Sequence, residues 1–208
     1  MQRPGKIVCV GRNYAEHARE MGGDVPERPL IFLKPPSAVI ASGDPIRLPS
    51  ASNRVEHEGE LGVVVGRRLS GVREQDAMGG VAGLVCVNDV TARDLQRLDS
   101  QWTRAKGFDT FCPLGPELRP LTDCPPVEEL EVYCRVDGEM RQHGRCRDMI
   151  FSIPEVLAYI SSIMTLEPGD VVATGTPSGV GPLRAGEVVE VEIPGVGIVR
   201  NPVESAVV

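Results

Sequence analysis

The chain reads as a β-rich α+β domain, and three observations point there. Its 23 glycines and 18 prolines are scattered without a fixed period, which suits many short strands joined by tight turns and not a bundle of long helices. Short apolar or alternating runs recur between those breakers. One of them, 130–136, runs into Asp137-Gly138, a residue pair that favours a hairpin turn. At 208 residues the chain has the length of one domain, so a single globular unit over 1–208 is expected.

The elements follow in order. Residues 6–10 form a short buried strand ended by Gly11, and Asn13 is placed to N-cap a helix from Glu16 to Met21, which Gly22-Gly23 terminates. Pro26, Pro29, Pro35 and Pro36 bracket the apolar island Leu30-Ile31-Phe32-Leu33, a strand between breakers. Residues 58–65 start with alternation and become continuously apolar, so the later half of that strand is buried on both faces. A second buried strand covers 81–87, and Thr91 with Asp94 three residues on caps a helical turn over 92–97. The hairpin at Asp137-Gly138 returns through Met140-Arg141. Ser152-Ile153-Pro154-Glu155 is a capping box with proline just inside the start, and Val156, Leu157, Ile160, Ile163 and Met164 give the helix an apolar face to lay on the sheet. Pro168-Gly169-Asp170 turns into the strand Val171-Val172-Ala173, and 189–193 alternates again before Pro194-Gly195.

Composition excludes whole classes of function. A net charge of -7, with one tryptophan, three tyrosines and four phenylalanines, gives neither the basic surface that neutralises phosphates nor the aromatic platforms that stack bases. No nucleic-acid partner is expected. The apolar run at the start, Ile7 to Val10, is too short for an export signal, and the most apolar stretch, 149–166, carries Pro154 and Glu155 near its start. A cytoplasmic protein without a membrane partner is expected. Cys9, Cys86, Cys112, Cys124, Cys134 and Cys146 form no CxxC pair, which fits free, buried thiols better than zinc or disulfides.

Three segments carry candidate chemistry. In Glu56-His57-Glu58-Gly59-Glu60, residues two apart on a strand share a face, so Glu58 and Glu60 stand side by side with Glu56 as a candidate third. Asp89, at the end of the next buried strand, completes three hard oxygen donors suited to Mg2+, Mn2+ or Ca2+. A solvated strand edge would show the same alternation, as Glu190 and Glu192 do. His17 and Glu20 lie three apart on a short helix, the spacing of a general-base dyad or of an ordinary solvated pair. The small-residue loop Thr174-Gly175-Thr176-Pro177-Ser178-Gly179 offers backbone N–H groups to an anion, but lacks the lysine of a phosphate loop. Lys106, in a polar loop with apolar neighbours, is either a substrate cation or a surface lysine.

Taken together, GRNYAEHARE, FLKP, EHEGELGVV, VNDVTARDLQ, WTRAKGFDTFCPLGP, VDGEMRQ, MIFSIPEVLAYIS and LEPGDVVATGTPSGVGPL occur in an order that resembles the fumarylacetoacetate hydrolase superfamily, over about 6–203. The GRNY opening and short chain are most similar to its small acylpyruvase and oxaloacetate decarboxylase branch. The resemblance implies the fold of the fumarylacetoacetate hydrolase C-terminal domain, a distorted β-roll with a few short helices, and a homodimer. It implies one Mg2+ or Mn2+ per subunit on Glu58, Glu60 and Asp89, with Glu56 outside the ligand set. It implies a catalytic His17–Glu20 pair on a mobile lid over 13–23, a substrate-contacting Lys106, and Arg12, Gln96 and Thr176 near the substrate's carboxylate or carbonyl oxygens. The function it implies is a metal-dependent hydrolase that cleaves a C–C bond of acylpyruvates through a pyruvate enolate, with decarboxylation of oxaloacetate at the same site. The alternative is a tautomerase, isomerase or hydratase that acts on a 2-oxo acid of aromatic breakdown at the same metal site.

Overall fold

The structure is a computed structural model and describes residues 3–205. Its frame is a mixed eight-stranded sheet in the order Leu30–Lys34, Ile7–Gly11, Val171–Ala173, Gly59–Val65, Val81–Asn88, Cys112–Leu114 and Val39–Ala41, with Arg119–Pro120 beside Val81–Asn88. A five-stranded sheet runs Glu139–Arg145, Glu131–Val136, Val188–Ile193, Gly197–Ser205, Ile46–Leu48, and a small third sheet joins Gly181–Pro182, Val55–His57 and Thr91–Ala92. This is the β-rich architecture with short helices that the sequence predicts.

Sequence pattern explains which faces are buried. Gly59–Val65 is buried along its whole length and Val81–Asn88 over all but its first two residues, as strands covered on both sides are. Glu131–Val136 and Val188–Ile193 alternate buried with half-buried residues, so one face of the five-stranded sheet meets the core. The Asp137-Gly138 turn forms as expected, with φ of 51° and 80°. Gly59–Val65 pairs antiparallel with Val81–Asn88, setting Gly59 opposite Asn88 and Glu60 opposite Val87. Apolar strand bodies therefore align, and the acidic start of one strand meets the polar end of the other.

Several local expectations are corrected. The strand expected over 58–65 forms as Gly59–Val65, and Glu58 lies at a break between it and Val55–His57, which belongs to the small sheet. Asn13 does not cap the first helix, Ala15–Glu20, whose N-cap is Tyr14 with no side-chain bond. The buried Asn13 amide instead donates to the carbonyls of Phe151 (3.1 Å) and Thr174 (2.7 Å) and accepts from the Phe151 N–H (2.8 Å). Thr91 bonds back to the Asp89 carbonyl, and the helix after it, Arg93–Leu98, starts without a side-chain cap. Ser152 does cap Ile153–Ile163, accepting from the Glu155 N–H at 3.4 Å. That helix sends Val156, Leu157 and Ile160 into the main core and packs on the short helix Glu74–Ala77, while Ile163 stays exposed. Among the described residues no helix is long and apolar enough to cross a membrane.

All six cysteines are free; five are buried and Cys124 is half-buried. Burial pushes the thiols of Cys86, Cys112, Cys134 and Cys146 up to about 12 and raises Cys9 well above its ordinary value. Burial raises the Cys124 thiol as well, but it alone is reachable from solvent; because the reagent must meet a thiolate, one thiol per native chain, Cys124, is expected to react with Ellman's reagent at mildly alkaline pH, and six after denaturation. A second fast thiol in the native protein would contradict this packing.

Candidate metal centre and its cavity

The register of the two central strands builds the site. Glu58, Glu60 and Asp89 are buried, and one carboxylate oxygen from each lies within 4.8 Å of the others. Local bonds fix their backbone. Where the strand breaks, the Glu58 N–H donates to the Asn88 side chain (3.0 Å), and the Asp89 N–H donates to the Glu58 carbonyl (2.8 Å). The carboxylates thus converge through a break stapled by Asn88, not through the pleat of a continuous strand.

Three buried cations stand around them, each 1% exposed. Lys106 Nζ donates to Glu58 Oε2 (2.8 Å) and Asp89 Oδ2 (2.6 Å). Lys34 Nζ donates to Asp89 Oδ1 (2.6 Å) and the Val90 carbonyl (3.0 Å). Arg93 donates through Nη2 to Glu58 and through Nε to Glu56 (2.7 Å). Glu56 also accepts from Arg54, so its charge steers Arg93 and does not join the triad.

The electrostatics follow from this wiring. Burial alone would raise the Glu58 carboxyl, but Lys106 and Arg93 hold it well below the ordinary carboxylate range. Glu56 is held low against burial by Arg93 and Arg54. Glu60 goes the other way, raised by burial and then by the facing Asp89 and Glu58 charges. Burial would lower the Lys106 ammonium, and Asp89 and Glu58 raise it. Arg93 and Arg54 balance Glu56, whereas Glu60 pairs with no cation among the described residues and accepts only from the Gly175 N–H, so an added cation there would hold its carboxylate ionised. The donor set, three buried carboxylates with hard oxygens, fits Mg2+ or Mn2+.

The glycine-rich loop binds anions, but they are the protein's own. The Gly175 N–H donates to Glu60 Oε2 (2.8 Å), and the Gly179 N–H to Glu20 Oε1 (3.0 Å). Both glycines are needed: their φ values are 102° and 98°, and a Cβ would lie 2.6 Å from Asn13 Cβ and 2.1 Å from the Arg141 carbonyl respectively. Glu20 Oε2 lies 3.1 Å from Nδ1 of the buried His17. One loop therefore ties a triad carboxylate to the His17–Glu20 pair.

A cavity of about 160 Å³ opens onto this group. Of the residues singled out from the sequence, Arg12, His17, Glu58, Glu60, Gln96, Lys106 and Thr176 line it. Asp89 stands behind Lys106, and Glu20 behind His17. Lys106 is not in a loop: it ends the single-turn helix Thr103–Lys106, with Nζ 4.9 Å from the Phe32 ring centroid. Phe32 packs edge-on to Trp102 (5.3 Å between centroids), and both form the apolar wall. Gln96 accepts from Arg93 Nη1 and keeps its amide N–H groups for a ligand. Sequence reasoning assigned no role to Lys34, Arg93 or Gln142, although they lie in the motifs FLKP, VNDVTARDLQ and VDGEMRQ. Neither Lys34 nor Arg93 signals burial until its carboxylate partner is placed.

Residues 6–204 match the family described as fumarylacetoacetate hydrolase, C-terminal. A mitochondrial oxaloacetate tautomerase of Arabidopsis thaliana is 46% identical over 206 residues, covering 97% of this chain and 92% of that protein. A mitochondrial oxaloacetate decarboxylase of Dictyostelium discoideum is 44% identical over 195 residues, covering 91% and 89%. The crystal structure of a 5-carboxymethyl-2-hydroxymuconate delta-isomerase from Mycobacterium smegmatis superposes with a TM-score of 0.91 at 44% identity, covering 99% of this chain and 81% of that one.

Proposed function

This chain belongs to the fumarylacetoacetate hydrolase superfamily of enzymes, and from that premise we propose that it generates the enolate of a 2-oxo acid, with oxaloacetate as substrate, either decarboxylating it or interconverting its keto and enol forms. One observation carries the reading: a buried carboxylate triad, a buried lysine bonded to two of its members and a carboxylate-bonded histidine border one small cavity. A divalent cation held by Glu58, Glu60 and Asp89 supplies a Lewis acid for the 2-oxo and carboxylate oxygens.

The chain's own groups do the rest. Lys106 keeps its proton and faces the oxygen on which charge develops. His17, with Nδ1 toward Glu20, has Nε2 for the proton that leaves or returns at carbon. Gln96 orients a ligand oxygen through its free amide N–H groups. Arg12 and Arg97 line the cavity and pair with no carboxylate among the described residues, which supports a substrate with a second carboxylate. In this reading residues 13–23 serve as the lid. Asn13 and Tyr14 are buried and would anchor it, and the part from Ala15 to Gly23 would be the part that moves. Exposed Leu30 and Leu33 on the edge strand Leu30–Lys34 supply apolar surface for a homodimer.

Hydrolysis of acylpyruvates is the second reading, favoured by the His17–Glu20 pair, which is placed to activate water. The test is loss of enol-oxaloacetate absorbance and release of pyruvate from oxaloacetate and from acetylpyruvate, with Mg2+, Mn2+ or EDTA. Metal-dependent conversion of oxaloacetate, at least about tenfold faster than release from acetylpyruvate, is expected; a tenfold ratio corresponds to about 1.4 kcal/mol of transition-state discrimination. Faster acetylpyruvate cleavage would establish the second reading, and inertness toward both would sink the two together.

A further inference from the structure

Beneath the glycine-rich loop lies a residue that the proposed chemistry leaves unused. Gln142, on the strand Glu139–Arg145, is 1% exposed and has four partners. Its Oε1 accepts from the Gly59 N–H (3.0 Å) and faces His57 Nδ1 (3.0 Å). Its Nε2 donates to Thr176 Oγ1 (2.7 Å) and to the Pro177 carbonyl (2.7 Å). These partners dictate the amide orientation, because a backbone N–H only donates and a carbonyl only accepts. The same accounting puts the His57 proton on Nδ1. It also commits the single Thr176 hydroxyl proton to the Gly59 carbonyl, 2.8 Å away. Thr176 lines the cavity, and its oxygen has one lone pair left to offer there.

We propose that Gln142 is a positioning residue that sets Thr176 as a hydrogen-bond acceptor toward the cavity, so that Thr176 reads an O–H group of the ligand, the hydroxyl of an enol or a water, and not a carboxylate oxygen. The proposal rests on the 2-oxo acid reading. Turning the hydroxyl toward a carboxylate would strip the buried Gly59 carbonyl of its hydrogen-bond partner. Gly59 lies between the two triad glutamates, so Gln142 couples the strand that carries them to the loop that meets the ligand.

The experiment uses full-length protein loaded with Mn2+, and the variants Thr176→Val, Thr176→Ser and Gln142→Met. Mn2+ and oxalate affinities are measured by calorimetry, and oxaloacetate turnover alongside. Oxalate carries no O–H at neutral pH, so Thr176→Val is expected to leave its Kd and that of Mn2+ within about threefold of wild type, while kcat/KM on oxaloacetate falls at least about tenfold, the size of one buried hydrogen bond. Gln142→Met lowers kcat/KM likewise, and Thr176→Ser restores it to within about threefold. A tenfold weaker oxalate complex in Thr176→Val would show a donor and overturn the proposal, as would unchanged turnover in Thr176→Val. If Gln142→Met fails to fold, the two Thr176 variants decide alone. Wild-type protein that binds Mn2+ but neither binds oxalate nor turns over oxaloacetate overturns the 2-oxo acid reading, and this proposal with it. Normal wild-type behaviour with indifferent variants overturns the Thr176 role only.

Discussion

Glu58→Ala is expected to abolish metal-dependent turnover and to destabilise the metal-free protein by about 3–5 kcal/mol, the cost of breaking a buried ion pair from one side. Glu58 accepts from both Arg93 and Lys106, and all three are buried. Removing it leaves two buried cations short of a partner, and Arg93 keeps only Glu56 and Gln96. The catalytic loss should exceed the roughly 10–100-fold that an outer-shell change costs a metal site, because one of three donors is gone. Urea unfolding in EDTA reads the first effect and Mn2+ titration the second. A variant with the wild-type midpoint would mean that Glu58 does not balance these cations, and wild-type Mn2+ affinity would remove it from the ligand set. Glu58→Gln separates the two effects, since it keeps the volume and one acceptor oxygen while losing the charge.

How much of this was legible in the sequence depends on the range of the interaction concerned. Glu58, Glu60 and Asp89 were legible because acids at the ends of apolar strands are conspicuous, and antiparallel pairing of those strands then forces the ends together. The break at Glu58 was not, because the Asn88 side chain that stabilises it comes from the neighbouring strand. Asn13 was misread for a related reason. An asparagine before a helix is locally an N-cap, and only partners at positions 151 and 174 turn it into a buried staple. The strand Gly197–Ser205 escaped notice because Gly197 and Pro202 read as breakers, yet Pro202 is accommodated opposite Val188. Lys34, Arg93 and Gln142 share one explanation: a polar side chain signals burial only once its partners are placed, and theirs lie between 35 and 85 residues away for the pairs Arg93–Glu58, Lys34–Asp89 and Gln142–His57.

His17→Ala should lower kcat by about 10²- to 10⁴-fold, the usual worth of a positioned general acid or base, while leaving Mn2+ affinity and unfolding midpoint close to wild type. His17 is 5% exposed and lines the cavity, but its ring bonds only to Glu20 among the described residues, so no structural network collapses with it. Glu20 is held in turn by the Gly179 N–H, and Thr176, on that same loop, is gripped by Gln142. The five-stranded sheet thereby fixes the direction in which the imidazole points. Glu20→Gln keeps a carbonyl oxygen for Gly179 and removes the charge that stabilises a protonated His17, so its loss in kcat should be the smaller of the two. The size of the His17 effect also discriminates between reactions. Tautomerisation and acylpyruvate hydrolysis each need a base, at carbon or at water, whereas decarboxylation loses CO2 and needs a proton only to quench the enolate. A His17→Ala protein that still releases pyruvate from oxaloacetate, but no longer equilibrates its keto and enol forms, would therefore assign His17 to proton transfer at carbon. Equal loss of both would instead mean that His17 serves a step common to them, the protonation that follows enolate formation.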